Sequence, residues 1–358
     1  MTFLGSRRHH RALHASGFTL IELMIALVLG LVVSGAAAAL FITNHRTYVA
    51  SESLGRVQEN TRTAFELMAR DVREAAGNAC GAALANTVNV LNTPSVKWYT
   101  DFAGGIRGYG STEAFADAAF GTGAAQRVSG TDAIDLKSSF SSEVTVEAGP
   151  GGNPAEIKVN TTDHDLNQGD IVMVCDANHA AIFQVTNASP GTNVTVVHQT
   201  GNTVEPGNCT KGLGSPLPVP CTANGTAYTF GCAFGNKDVC TDEKDKWTSI
   251  VAKLKATRWY IGYNGRGGKS LYLSTLRNGG GALTVDNDEI TEGVEDMTLG
   301  YLSEGGTSYQ AAGIVADWTK VMAVRISLAM VGKDKVGTDG KVLQRSLDHV
   351  VAIRNRTP

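Results

Sequence analysis

The feature that most constrains this chain is an apolar run over residues 18–42, interrupted by Thr19, Glu22 and Ser34 alone. At 1.5 Å per residue it gives about 37 Å of helix, more than the roughly 30 Å of a hydrocarbon core, so a tilted membrane-spanning helix is predicted. Residues 1–17 carry Arg7, Arg8 and Arg11, with His9, His10 and His14 among them, and no acidic residue. Positive charge on that flank holds it in the cytoplasm. The three histidines are read as part of a leader that is removed, not as a metal site. An ordinary secretory signal, with Ala36-Ala37-Ala38 as its small-residue cleavage site, is the plain alternative. Glu22 argues against it, because a carboxylate in a membrane helix costs about 2.5 kcal/mol or more and is there for a function.

Read from Ser16, the string Ser-Gly-Phe-Thr-Leu-Ile-Glu-Leu resembles the type IV pilin (class III) signal, which a prepilin peptidase cuts after its glycine. The resemblance implies cleavage between Gly17 and Phe18, N-methylation of Phe18 and an assembly role for Glu22. The residues support that role physically. Cleavage creates an amine on Phe18, four residues before Glu22 and on the same helix face. A buried charge of either sign is costly alone, and pairing relieves both, within one subunit or between neighbours. Gly30 and Gly35 thin the helix surface, for close packing or local unwinding.

Beyond the membrane span the pattern becomes amphipathic. Leu54, Val57, Thr61, Ala64, Phe65, Met68, Val72 and Ala75 recur at three- and four-residue spacing, and Glu59 with Arg62 and Glu66 with Arg70 occupy the other face. Gly77-Asn78 is a helix stop. The predicted organisation is a leader over 1–17, the membrane and assembly half of the helix over 18–42, and its amphipathic half over 43–78. A Gly-rich excursion and a first antiparallel β unit follow over 79–205, then a cysteine-containing loop region over 206–248 and a C-terminal β region over 249–358. The fold class expected is α+β, type IV pilin-like, with a long N-terminal helix packed on an antiparallel β-rich globular domain.

The excursion reads as long and irregular, with at most one short helix near residues 112–120. Strands are predicted at 133–137, 144–146, 157–159, 171–175, 181–186 and 194–198, the fourth and fifth forming a hairpin. All six cysteines lie beyond residue 79, and in an exported domain an even number reads as up to three disulfides. Cys209, Cys221, Cys232 and Cys240 fall in a stretch whose Pro, Gly, Asn and Lys content predicts a stapled loop without a core. Local pairing would join Cys209 to Cys221 and Cys232 to Cys240, with Cys80 tied to Cys175, although spacing does not fix the connectivity. No Cys-x-x-Cys spacing occurs that would suggest zinc or redox chemistry.

In the C-terminal block, residues 256–263 and 270–274 read as a hairpin around a turn at 264–269. Gly267-Gly268-Lys269-Ser270 is not a phosphate-binding loop, because its first glycine would fall at Tyr263 and a strand follows. Asp286-Asn287-Asp288-Glu289 reads as a solvated turn, without the spacing of a calcium loop. Residues 321–330 form the strongest predicted strand, central in its sheet. Ile290 to Met297 (Ile-Thr-Glu-Gly-Val-Glu-Asp-Met), Gly300-Tyr301, Trp318, Val321, Val324-Arg325-Ile326 and Val351-Ala-Ile-Arg354-Asn355 are similar to the PilW family of minor pilins, and Tyr260-Ile261 with Leu271-Tyr272 fits the same pattern. That resemblance implies initiation of pilus assembly at or near the tip complex. It implies as partners the prepilin peptidase, other minor pilins, the major pilin and a tip adhesin, and inner-membrane insertion with the C-terminal domain periplasmic. The larger J-type minor pseudopilin of type II secretion is the competing assignment, and a membrane-anchored ligand-binding module the second.

A net charge of −3 leaves no basic excess for nucleic acid. No Gly-x-Ser-x-Gly or His-Glu-x-x-His motif occurs, and Asp163-His164-Asp165 reads as a solvated loop. The expectation is a structural protein without catalytic residues, metal or cofactor.

Overall fold

The computed structural model describes residues 17–77, 79, 87–92, 97–102, 104–147, 155–201, 203–215, 221–232, 246, 248–335 and 340–356, apart from the side chains of 140–142. The leader at 1–16, with its arginines and histidines, lies outside them, as do Asn78, Cys80 and Cys240.

One helix, α1 (Leu20–Glu74), runs unbroken for 55 residues. It contains no proline and stays helical through Gly30 and Gly35. Its window of highest hydropathy is wholly exposed in the isolated chain, and that segment is long and apolar enough to cross a membrane. The second half packs on the domain through Val57, Thr61, Ala64, Met68, Ala69 and Val72. Two polar residues absent from the expected stripe are buried beside them, Ser53 and Asp71. The helix-surface ion pairs are Arg56–Glu52 and Arg62–Glu66 (2.7 Å), not Glu59 with Arg62 and Glu66 with Arg70. Arg62 reaches forward one turn and occupies the Glu66 carboxylate.

Fourteen strands follow in chain order among the described residues: β1 (Thr87–Asn89), β2 (Ile106–Tyr109), β3 (Ala133–Thr145), β4 (Glu156–Lys158), β5 (Ile171–Cys175), β6 (Ala180–Gln184), β7 (Asn187–Ala188), β8 (Thr195–Val197), β9 (Ile250–Tyr263), β10 (Lys269–Asn278), β11 (Leu283–Glu292), β12 (Val294–Ser303), β13 (Val321–Val331) and β14 (Gln344–Ala352). β9 is the pivot. One edge pairs with β3 along nearly its whole length; the other takes β5 over its first half and β10 over its second. The eight-stranded sheet is completed by β6 and β1 beyond β5, β11 beyond β10, and β2 beyond β3. Its pairings are antiparallel except β1 with β6. β13 is the middle strand of a second sheet, β12-β13-β14, and β4, β8 and β7 form a third.

Several expectations are corrected. Residues 112–120 are turns and extended chain, not a helix. Phe115, Arg127 and Tyr109 pack there, and their ring and guanidinium contacts replace helical hydrogen bonds. The excursion also supplies β1 and β2. Residues 286–289 belong to β11 and do not form a turn. Their carboxylates are accommodated at a sheet edge because Arg277 and Arg266 on the neighbouring hairpin meet Asp286 and Glu289. The loop region buries Leu213 and Phe230 against the β5-β6 face, so it does contribute to a core.

The largest core joins α1 to both major sheets. Val57, Ala64, Met68 and Val72 meet Trp259 and Ile261 of β9, Leu271 of β10, and Met297, Tyr301, Val324, Ile326 and Val351 of the second sheet. Part of the C-terminal pattern, Met297, Tyr301, Val324, Ile326 and Val351 among it, therefore shares a core with the helix. A separate core lies under β5 and β6, with Phe183, Val172, Val174 and Leu166.

Candidate functional site: the helix start and the domain cavity

The residues expected to be processed, Gly17 and Phe18, lie together just ahead of α1. Gly17, Phe18 and Thr19 precede the helix and are exposed, with Phe18 at 88% exposure and Thr19 in extended backbone. A protease needs an accessible bond, and Gly17–Phe18 is accessible. Helix begins immediately afterwards, for a reason visible in the residues. Thr19 is the N-cap: the Glu22 N–H donates to its Oγ1 at 3.2 Å, while the Thr19 backbone N–H and hydroxyl each donate to Glu22 Oε2 at 3.0 Å. This capping box satisfies donors that have no partner within the helix. Sequence reasoning assigned Glu22 an assembly role and overlooked Thr19. The signal was present as Thr-x-x-Glu ahead of an apolar run.

In the uncut chain the Phe18 nitrogen is an amide, and the cap occupies Glu22 Oε2. Cleavage after Gly17 would convert that nitrogen to an amine one residue before the cap. The capping geometry therefore holds the carboxylate at the helix end where the new charge appears. Further along, Ala26, Gly30 and Ser34 recur at four-residue spacing beside Leu23, Leu27 and Leu31. That face admits close approach of another helix.

The cysteines are distributed through the domain. Cys209 and Cys221 form a disulfide. Cys175, at the end of β5, and Cys232 are each disulfide-bonded too; the expected pairings of Cys80 and Cys240 lie outside the described residues. No described cysteine is free.

The motifs weighed for chemistry are dispersed. His164 is buried, its Nε2 against the Asn193 carbonyl at 3.1 Å, while Asp165 turns to Lys253 at 3.3 Å. The expected solvated loop is thus half wrong: the carboxylate is exposed and the imidazole packs inside. Gly267-Gly268-Lys269-Ser270 closes the β9–β10 hairpin over the Asn264 side chain, which accepts from the Gly268 N–H at 2.9 Å. Ser270 donates to Glu289 at 2.7 Å, and Lys269 pairs with Glu295 at 2.8 Å. Among the described residues no group of three or more His, Cys, Asp or Glu is placed to hold a metal.

A second polar constellation was not anticipated. Asp135 on β3 is fully buried and takes Arg258 of β9 in a two-point pair, Nε to Oδ1 at 2.7 Å and Nη2 to Oδ2 at 3.0 Å. Tyr109 donates to the same carboxylate at 2.8 Å, and Asp117 meets Arg258 at 2.9 Å. Burial opposes the Arg258 charge, yet Asp135 and Asp117 outweigh it and hold the guanidinium protonated. Burial pushes the Tyr109 hydroxyl up, assisted by Asp135. Above this cluster opens a cavity of about 250 Å³ walled by Trp98, Trp318, Tyr109, Arg107 and Lys137. Its residues come from five separate stretches, so nothing in the local sequence marks it.

Among known families, residues 13–38 match the prokaryotic N-terminal methylation motif. No curated protein and no solved structure matches the chain. The motif implies processing by prepilin peptidase and assembly with other pilins. With its exposed Gly17–Phe18 bond, its capped apolar helix and a β-rich antiparallel domain packed on the second half of that helix, the chain is a type IV pilin- or pseudopilin-like protein.

Proposed function

We propose that the chain is a minor pilin of the PilW type, cleaved after Gly17, methylated on Phe18 and engaged in starting pilus assembly at or near the tip complex. The observation that carries this reading is the division of α1. Its first half is apolar around most of its surface and is covered by none of the described residues, with Leu20, Leu31, Val33 and Phe41 all more than 60% exposed. Such a surface needs lipid before assembly and other helices after it. The second half is seated on a domain large enough to carry a specialised surface. The orientation that follows is leader in the cytoplasm and domain in the periplasm, then on the pilus. The domain acts by contact with other minor pilins, the major pilin and a tip adhesin, not by catalysis.

Two measurements test the proposal. Mass spectrometry of the mature protein should find an N-terminus at methylated Phe18; a start near Ala39 would overturn pilin-type processing. Deletion of the gene should abolish surface pili while leaving type II secretion intact. Loss of secretion with normal piliation would assign the chain to a J-type pseudopilin instead.

A further inference from the structure

Along one edge of β9 the partner strand changes, and the change leaves a fork. β5 ends its pairing with Val172 opposite Lys253, β10 takes over with Thr275 opposite Thr257, and residues 254–256 lie between. Three polar side chains meet at that fork from three strand ends. Lys253 comes from β9, Asp170 directly precedes β5, and Asn278 is the last residue of β10. One carboxylate holds the other two groups. Asp170 Oδ2 takes the Lys253 ammonium at 3.0 Å, and its Oδ1 accepts from the Asn278 amide nitrogen at 2.7 Å. The Lys253 and Asp170 side chains are only 18% and 13% exposed, so water competes little for this contact. The same amide nitrogen donates to the Gln168 carbonyl at 2.8 Å, and the Asn167 N–H donates to Asp170 Oδ2 at 2.9 Å, which fixes both groups in place. The Asn278 amide oxygen accepts from two backbone N–H groups, Gly280 at 3.0 Å and Gly281 at 3.1 Å. Asp165 reaches the same ammonium at 3.3 Å, from a side chain 55% exposed, and is the weaker hold.

We propose that this fork is a self-modification site, at which Lys253 and Asn278 become joined by an isopeptide bond. The parts are those of an acyl transfer: an amine, an amide carbon, a carboxylate in contact with both nitrogens, and two N–H donors on the oxygen that gains charge. The long unbranched stem of Lys253 gives Nζ the reach to turn from the carboxylate to the neighbouring amide carbon. Asp170 takes a proton from the ammonium, and the freed lone pair of Nζ attacks Asn278 Cγ. The carbonyl π pair moves to Oδ1, where the Gly280 and Gly281 N–H groups hold it. When the tetrahedral centre collapses, the new Nζ–Cγ bond stays and the Cγ–Nδ2 bond breaks. Both protons that Nζ gives up pass through Asp170 to Nδ2, so one ammonium ion leaves, Asp170 is regenerated and nothing is oxidised or reduced. The product ties β9 to β10 covalently where the ladder between them is interrupted.

The test is mass spectrometry of the full chain purified in detergent, intact and after tryptic digestion. The intact chain should weigh less than its sequence and disulfides require by the mass of one ammonia. The digest should contain a branched peptide that joins Lys253 to Asn278 and is uncut at Lys253. Lys253→Met should restore the full mass and lose the branched peptide, and Asp170→Asn should do the same through loss of the proton carrier. The branched peptide is read on the parent chain, so the result does not depend on a variant folding. A parent of unmodified mass would overturn the proposal. So would an ammonia loss without the branched peptide, or one that persists in Lys253→Met, because Asn278-Gly279 then loses its ammonia by closing on its own backbone.

Discussion

Asp71 lies on the buried face of α1 with one oxygen on Trp259 Nε1 at 3.0 Å and the other on Lys255 Nζ at 2.8 Å, so a single carboxylate ties the helix to β9. Removing it strands a buried indole N–H and a half-buried ammonium. Asp71→Ala is expected to cost about 3 kcal/mol, and Asp71→Asn about half as much because the amide oxygen still serves Trp259. Thermal melts of the detergent-solubilised chain measure both; equal melting temperatures for parent and Asp71→Ala would refute the anchor. At the other end of the helix, Glu22→Ala should be cleaved and inserted yet fail to enter filaments, scored by immunoblot of sheared pili. Thr19→Val should weaken the cap by about 1 kcal/mol and reduce incorporation less than Glu22→Ala, since the carboxylate remains.

At the scale of elements, the end of α1 is stitched to the sheet by backbone. Ala76, at φ +57°, donates to the Lys137 carbonyl at 2.9 Å, and Ser139 donates through both N–H and hydroxyl to the Gly77 carbonyl. Gly105 passes so close that a Cβ there would lie 2.5 Å from Ala76 Cα, and its φ of +66° is also unfavourable for other residues. Gly105→Ala should therefore destabilise by about 2 kcal/mol or more, seen as a lower melting temperature and earlier proteolysis at the helix–sheet junction. How well elements could be read from sequence follows from how many faces they bury. β5 is buried at every position and β13 on alternate ones, and both are legible as apolar runs. β11 and β14 sit at sheet edges with mostly polar, exposed residues, so Asp286 to Glu289 reads as a turn until cross-strand arginines are in view. β1 is three residues held by parallel pairing to β6, a tertiary contact that no local pattern encodes.

At the scale of the whole molecule, the second core contains a group that makes stability depend on pH. His198 is buried against Phe183, with ring centroids 4.9 Å apart, and burial lowers its pKa to about 4. The unfolded chain takes up that proton near pH 6.5 and the folded one does not until about pH 4. Its contribution is complete above pH 6.5 and declines as pH falls through the window from 6.5 to 4, by about 3 kcal/mol in total. Melting temperatures across that range should drop more steeply for the parent than for His198→Phe; parallel curves would assign the acid sensitivity elsewhere. The two sites differ in legibility for a related reason. Gly17, Phe18, Thr19 and Glu22 act within one helical turn, so sequence spacing is geometry. Lys97, Arg107, Lys137, Arg258 and Trp318 meet only after β2, β3 and β9 pair, and Lys137 looks in sequence like any outward strand lysine.

The way α1 lies on the domain also has a mechanical consequence. Val57, Ala64, Met68 and Val72 are seated one after another along the core, and the backbone bonds at Ala76 and Gly77 close the far end. A pull along the helix axis loads all of these contacts at once, in shear, instead of peeling them singly. Tension applied to the globular domain therefore passes into the stem without first unfastening it.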